Sequence, residues 1–231
     1  MPNDPQESRS ERRSVLPKSH IEEERPLVLI VDDDVRIRTA LQELMMSAGI
    51  DSECFASTRE FLESDLPDRP GCLILDVRMP GSSGLDLQNH LATNADAKPI
   101  IFLTGHGDIP MTVHAMKAGA VDFLTKPVRD QTLLDAVAAG IARDIARRAS
   151  ARVLKQYLER LATLTRRERQ VLRAVACGRL NKQIAFELGI SEITVKLHRG
   201  NVMRKMQAGS VGDLIRVWEA LPEGLRESAT S

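Results

Sequence analysis

Leu27-Val28-Leu29-Ile30-Val31-Asp32-Asp33-Asp34 is the stretch that decides the fold. Five consecutive apolar residues leave no polar face. The run therefore reads as a short strand buried on both sides, as strands are in parallel sheets covered by helices. Outward from it, Val35, Ile37, Leu41, Leu44 and Met45 recur at helical spacing as far as Gly49, a helix stop. The alternation then repeats. Strands are expected at Asp51–Phe55, Cys72–Leu75, Ile100–Thr104 and Val121–Thr125, with helices at Ser57–Leu62, Gly84–Thr93 and Met111–Ala118. Five such units predict an α/β domain, a flavodoxin-like five-stranded parallel sheet with helices on both faces.

After Pro127 the pattern is helical from Arg129 to about Leu161, Ala- and Arg-rich and free of proline. A last helix of the α/β domain runs here into a helical linker. From Leu164 a compact all-α pattern follows. Thr165 with Glu168 three residues on has capping-box spacing. Helices are expected at Arg166–Ala176, Lys182–Leu188, Glu192–Met206 and Val211–Ala220. The expected organisation is a flexible tail at 1–26, the α/β domain at 27–145, a linker at 146–163, a four-helix domain at 164–221 and a second flexible tail at 222–231.

The charge is unevenly shared. Residues 27–150 carry 12 Lys and Arg against 18 Asp and Glu, whereas residues 151–231 carry 15 against 8, within a chain of zero net charge. An acidic domain suits a cation, and a basic one suits a polyanion. Cys54, Cys72 and Cys177 have neither metal-finger nor disulfide-framework spacing, which fits a reducing cytoplasm. No apolar run is long enough to span a bilayer, and no membrane partner is expected.

In a parallel sheet, ligands bind beyond the carboxyl ends of the strands. Asp32 and Asp33 follow the first strand and Asp76 the third. Thr104 ends the fourth, and Lys126 follows the fifth. All five point to one edge. Three carboxylates together attract a hard divalent cation, Mg²⁺. Asp76 can then attack phosphorus as a carboxylate nucleophile, with Lys126 and the Thr104 hydroxyl holding the phosphoryl oxygens. Singly each residue has a plain structural reading. Asp34 is a helix cap, Thr104 a core hydroxyl, Lys126 a turn lysine and His106 a loop residue rather than a base. It is their joint placement that argues for chemistry.

Val31-Asp32-Asp33-Asp34, Asp76-Val77-Arg78-Met79-Pro80-Gly81, Thr104-Gly105-His106-Gly107-Asp108 and Lys126-Pro127 resemble the signature of the receiver domain of two-component response regulators. The run from Met116 to Pro127 resembles in particular the FixJ-like branch of the NarL/FixJ family. The resemblance implies Asp76 as phosphoryl acceptor from a sensor histidine kinase. It implies Asp33, Asp76 and the backbone carbonyl of Arg78 as Mg²⁺ ligands, with Asp32 acting through water. Thr104 and Phe123 would be the switch pair, Lys126 the phosphoryl contact and Lys126–Pro127 a cis peptide. On phosphorylation a face bearing Met111, Val113, His114, Lys117 and Phe123 would form a homodimer.

In the C-terminal part, two helices, the turn Gly189-Ile190-Ser191 and a helix bearing Lys196, His198, Arg199, Arg204 and Lys205 read as a helix-turn-helix. Lys196 and Arg199 can reach bases or phosphates, while Asn181, Lys182, Thr194, Arg204 and Lys205 suit the backbone. The ordered set from Leu164-Thr165-Arg166-Arg167-Glu168 to Asn201-Val202-Met203-Arg204-Lys205 resembles the LuxR-type domain. That implies Lys196, Leu197, Arg199 and Gly200 at the groove, though Gly200 has no side chain to offer. A dimer implies an inverted-repeat site in double-stranded promoter DNA and, at the promoter, RNA polymerase.

The expectation is thus a cytoplasmic, phosphorylation-controlled transcription activator, not a turnover enzyme. Three alternatives stand beside it. The receiver could mask the DNA-binding helix, it could no longer switch, or the chain could be a Mg²⁺-dependent phosphohydrolase built on Asp76.

Overall fold

The computed structural model describes residues 25–81, 83–92, 98–105 and 107–228. Most of the expected N-terminal tail, Thr93, His106 and residues 229–231 lie outside them.

The sheet is parallel throughout, in the order β2-β1-β3-β4-β5. Its strands are β1 (Leu27–Val31), β2 (Asp51–Phe55), β3 (Gly71–Leu75), β4 (Ile100–Thr104) and β5 (Asp122–Thr125). The five residues of β1 are all buried, which is what their unbroken apolar character required. Alternation along β1 divides the core. Leu27, Leu29 and Val31 join Phe61, Leu87 and Ala115 on one face, and Val28 and Ile30 join Leu41, Met45, Leu133 and Val137 on the other. The first face is covered by α2 (Thr58–Glu63), α3 (Gly84–Ala92) and α4 (Ile109–Lys117). The second is covered by α1 (Val35–Ser47) and α5 (Asp130–Ala162). Removing one buried side chain of this core, as in Leu29→Ala, costs about 2–5 kcal/mol.

Side chains set the helix starts. Asp34 caps α1 by accepting from the Arg36 amide at 2.8 Å. α4 begins two residues before the spacing predicts, because Asp108 accepts from the Met111 amide at 2.7 Å and Pro110 lies in the first turn.

α5 is one unbroken helix of 33 residues, about 50 Å long at 1.5 Å per residue. Receiver-side helix and linker are therefore a single element. Its first half packs under β3 and β4. A Cβ on Gly140 would lie 2.9 Å from the Cys72 Cβ, so the close approach depends on glycine at 140. One turn further on, the Asp144 carboxylate is fully buried. Its Oδ2 accepts from the Gly71 amide at 3.0 Å and from Arg148 Nε at 2.9 Å, and its Oδ1 from Arg147 Nη2 at 2.8 Å. Lys98 Nζ is 3.6 Å away. Burial works to raise the Asp144 pKa, but the two guanidinium bonds and the Gly71 amide outweigh it and hold the carboxyl below the usual range.

The second half of α5 reaches the all-α domain, where Tyr157 and Leu161 pack on its core. That domain comprises α6 (Arg166–Ala176), α7 (Asn181–Leu188), α8 (Glu192–Met206) and α9 (Val211–Ala220) around Val171, Leu172, Ile184, Val195, Val202 and Leu214. α6 opens with the expected capping box between Thr165 and Glu168. A short helix, α10 (Glu223–Ser228), follows in the stretch expected to be a tail, with the Arg226 amide bonding the Pro222 carbonyl at 3.2 Å. Among the described residues no helix is long and apolar enough to cross a membrane.

Candidate functional site

The strand order reverses between β1 and β3, and the crevice beyond their carboxyl ends is where an open parallel sheet takes its ligand. Asp32 and Asp33 leave β1 there, and Asp76 leaves β3 with its amide on the Val31 carbonyl at 2.9 Å. The three carboxylates offer oxygens within 4.8 Å of one another. Asp32 and Asp76 are buried and Asp33 is exposed. Three hard oxygen donors, one of them open to solvent, fit a divalent cation such as Mg²⁺.

Lys126 closes the site from β5. Its Nζ lies 2.5 Å from Asp32 Oδ2 and 3.2 Å from Asp76 Oδ2. The other Asp32 oxygen accepts from the Asp34 amide at 2.9 Å. Burial is the larger influence on Asp32 and raises its pKa against the pull of Lys126. Burial also works against the Lys126 charge, but its bonds to Asp32 and the two carboxylate charges prevail and raise its pKa. The ammonium thus serves as the built-in counter-ion of the pocket. Arg78, two residues past Asp76, directs its amide to Asp76 Oδ1 at 3.4 Å, and its side chain is exposed.

Thr104 ends β4 as a buried residue, and its carbonyl accepts from the Lys126 amide at 2.8 Å. The Lys126–Pro127 peptide is cis. Phe123 is half-buried against Phe102, with ring centroids 5.8 Å apart. On α4, Met111 packs onto the core, whereas Val113, His114 and Lys117 are exposed. The exposed apolar side chains there also include Ile109 and Met116, which helical spacing alone did not single out.

Two contacts at this site were not legible in the sequence. Arg38 Nη1 bonds the Asp32 carbonyl at 2.6 Å and so ties α1 to the end of β1. Gly84 opens α3 directly against the Asp76 backbone, where a Cβ would lie 2.2 Å from the Asp76 carbonyl oxygen.

In the all-α domain, α8 buries Val195, Val202 and Met206 and exposes Lys196, Leu197, Gly200 and Arg204. At 100° per residue these four share one face with Ile193, which is 79 % exposed. Ile193 escaped notice because an isolated apolar residue beside Val195 reads as core. On an exposed face it suits a thymine methyl. Arg199 instead donates to Asn181 Oδ1 at 2.9 Å, half-buried between α8 and α7. Lys205 is paired inside the domain, with Nζ 2.6 Å from Glu168 Oε2. Thr194 is half-buried and Lys182 exposed at the start of α7.

Comparison with known proteins agrees with both halves. Residues 28–138 match the response regulator receiver domain, and residues 162–218 match the bacterial regulatory proteins of the luxR family. Nodulation protein W of Bradyrhizobium diazoefficiens is 54 % identical over 84 % of this chain and 86 % of its own. Response regulator protein TodT of Pseudomonas putida is 48 % identical over 89 % and 91 %. The solved structure of the response regulator StyR superposes with a TM-score of 0.74 at 47 % identity, covering 85 % of this chain and all of that one.

Proposed function

The chain belongs to the NarL/FixJ family of response regulators, a receiver joined to a LuxR-type DNA-binding domain, and we propose that phosphorylation of Asp76 is what controls its binding to promoter DNA. The observation that carries this reading is the convergence of Asp32, Asp33, Asp76 and Lys126 beyond one edge of the sheet.

In the proposed reaction a carboxylate oxygen of Asp76 attacks the phosphorus of a phosphohistidine on a sensor kinase. The O–P bond forms as the P–N bond breaks, and the departing imidazole takes up a proton. Mg²⁺ held by Asp33, Asp76 and the Arg78 carbonyl, with Asp32 through water, would supply positive charge against the phosphoryl oxygens. Lys126 turns an N–H from Asp76 to a phosphoryl oxygen while keeping its bond to Asp32. The Thr104 hydroxyl reaches the same group, and Phe123 moves into the space this leaves.

The switched face, with Ile109, Val113 and Met116 exposed beside His114 and Lys117, then pairs with a second copy. Two α8 helices brought together in this way read the halves of an inverted repeat in the cytoplasm, where RNA polymerase is recruited. The exposure of Lys196 and Leu197 within the full chain supports control by dimerisation over control by masking.

Labelling by acetyl phosphate tests the first step. The wild type should take up an acid-labile phosphoryl group, also cleaved by base and by hydroxylamine, that Asp76→Asn lacks. Label persisting on that variant would move the acceptor elsewhere. Sedimentation with Mg²⁺ and beryllium fluoride tests the second, the expected result being a dimer of the wild type alone.

A further inference from the structure

α8 turns to solvent a face whose chemistry departs from the basic helix around it. Ile193 and Leu197 are 79 % and 63 % exposed, whereas Val195, Val202 and Met206 on the opposite side are buried in the domain core. At 100° per residue Ile193, Leu197, Gly200 and Arg204 fall within about 60° of arc, with Lys196 on the flank. Two large apolar side chains thus stand one turn apart on a face that otherwise offers cations.

Polar side chains beside them that could read bases are already engaged within the domain. Arg199 Nη1 donates to Asn181 Oδ1 at 2.9 Å. Thr194 Oγ1 lies 2.9 Å from Ser191 Oγ, which also accepts from the Thr194 amide at 3.1 Å. Gly200 adds an independent observation. It stands in the middle of α8, where glycine weakens a helix relative to alanine. A Cβ there would meet nothing within 4 Å among the described residues. Packing inside the domain therefore does not call for glycine at 200, whereas a surface approaching closely from outside does.

The major-groove edge of DNA offers donors, acceptors and one apolar group, the C5 methyl of thymine. Recognition helices bring their first turns to the base edges, and Ile193 is the second residue of α8. We propose that α8 recognises its half-site through two thymine methyls, one against Ile193 and the other against Leu197. The two residues are about 6 Å apart along the helix axis and base steps are roughly 3.4 Å, so the thymines lie one or two steps apart. Lys196 and Arg204 take phosphates beside them, and Gly200 lets the helix seat deeply. Apolar contact, rather than pairing of Arg199 with guanine, then sets the sequence preference. This inference rests on the helix-turn-helix reading of the domain and is independent of the chemistry at Asp76.

The test begins with a DNA site selected from a random library by the full-length chain. Selection is run in Mg²⁺ with and without beryllium fluoride, so that a failed switch does not hide the outcome. Each thymine of the selected half-site is then replaced by deoxyuridine, which removes the methyl and leaves every hydrogen-bonding group in place. Two replacements per half-site should each weaken binding about fourfold, the worth of one buried methyl. Ile193→Ala should abolish the penalty at one position and Leu197→Ala at the other. Both variants should unfold as the wild type does, because the side chains removed are exposed. A selected site that tolerates deoxyuridine throughout overturns the proposal, as does a penalty that neither alanine variant removes. Failure to select any sequence in either state overturns the DNA-binding reading and the proposal together.

Discussion

Lys205 holds Glu168: its Nζ lies 2.6 Å from Glu168 Oε2 and 3.0 Å from the Thr163 carbonyl. The same Glu168 oxygen accepts from the Thr165 amide at 2.8 Å, so a lysine near the end of α8 secures the start of α6. Burial pushes the Glu168 carboxyl up, but Lys205 and Thr165 together bring it below its ordinary range. Lys205→Gln should therefore destabilise the DNA-binding domain by about 2 kcal/mol, read by denaturant unfolding. A lysine acting only on DNA phosphate would leave stability unchanged and lower the salt dependence of binding by about one counter-ion.

Gly84 gives a prediction for the acceptor. Adding a Cβ that meets the Asp76 carbonyl at 2.2 Å forces α3 or the Asp76 backbone to move. A displacement near 1 Å at a reacting centre can cost about a hundredfold in rate. Gly84→Ala should slow labelling by acetyl phosphate by one to two orders of magnitude, on the order of that figure. It should leave DNA binding by the isolated reading face intact in a salt titration. Wild-type labelling in this variant would mean that α3 yields without disturbing Asp76.

Asp144 predicts a pH dependence. Its folded pKa is depressed below the unfolded value, so its stabilising contribution is complete above the unfolded pKa of about 3.9 and is lost as pH falls through the folded one. Asp144→Asn should cost about 3–5 kcal/mol near neutrality, because it leaves Arg147, Arg148 and Lys98 without their buried partner. The gap between wild type and variant should narrow as pH drops below about 4. A gap that stayed constant to pH 3, roughly a unit below an ordinary aspartate, would deny Asp144 this role.

The continuity of α5 predicts a phase effect. Each residue inserted turns the downstream domain by 100° and lifts it by about 1.5 Å. Seven alanines placed between Ala149 and Gln156 nearly restore the original facing, whereas five reverse much of it. A reporter gene driven by an inverted-repeat promoter should respond to the seven-residue insertion and fail with five. Equal response to both would mean that the two domains communicate without a rigid helix.

Much of this was legible in the sequence because it depends on local pattern. β1 and β4 declare themselves by runs with no polar face, and α6 by its capping box. The carboxylates and Lys126 were placed by the rule that parallel strands end at the ligand. What the sequence hid is long-range. Asp144 lies within an Ala- and Arg-rich helical run whose pattern does not mark it as buried, and it is the approach of Gly71 and Lys98 that encloses it. Lys205 reads as one more basic residue on a DNA helix until Glu168 is found beneath it. Ile193 has the same apolar character as Val195, two positions away, and only the direction each faces separates an exposed residue from a core residue.

The 33-residue helix has one further consequence. Everything beyond Asp144 is cantilevered: about 18 residues, roughly 27 Å of stiff rod, project from the point where α5 is clamped to the sheet. A tilt of only about 5° at that clamp displaces the far end by a little over 2 Å, about the rise of one and a half helical residues. Any tilt at the clamp is therefore magnified at the far end by the length of the arm alone.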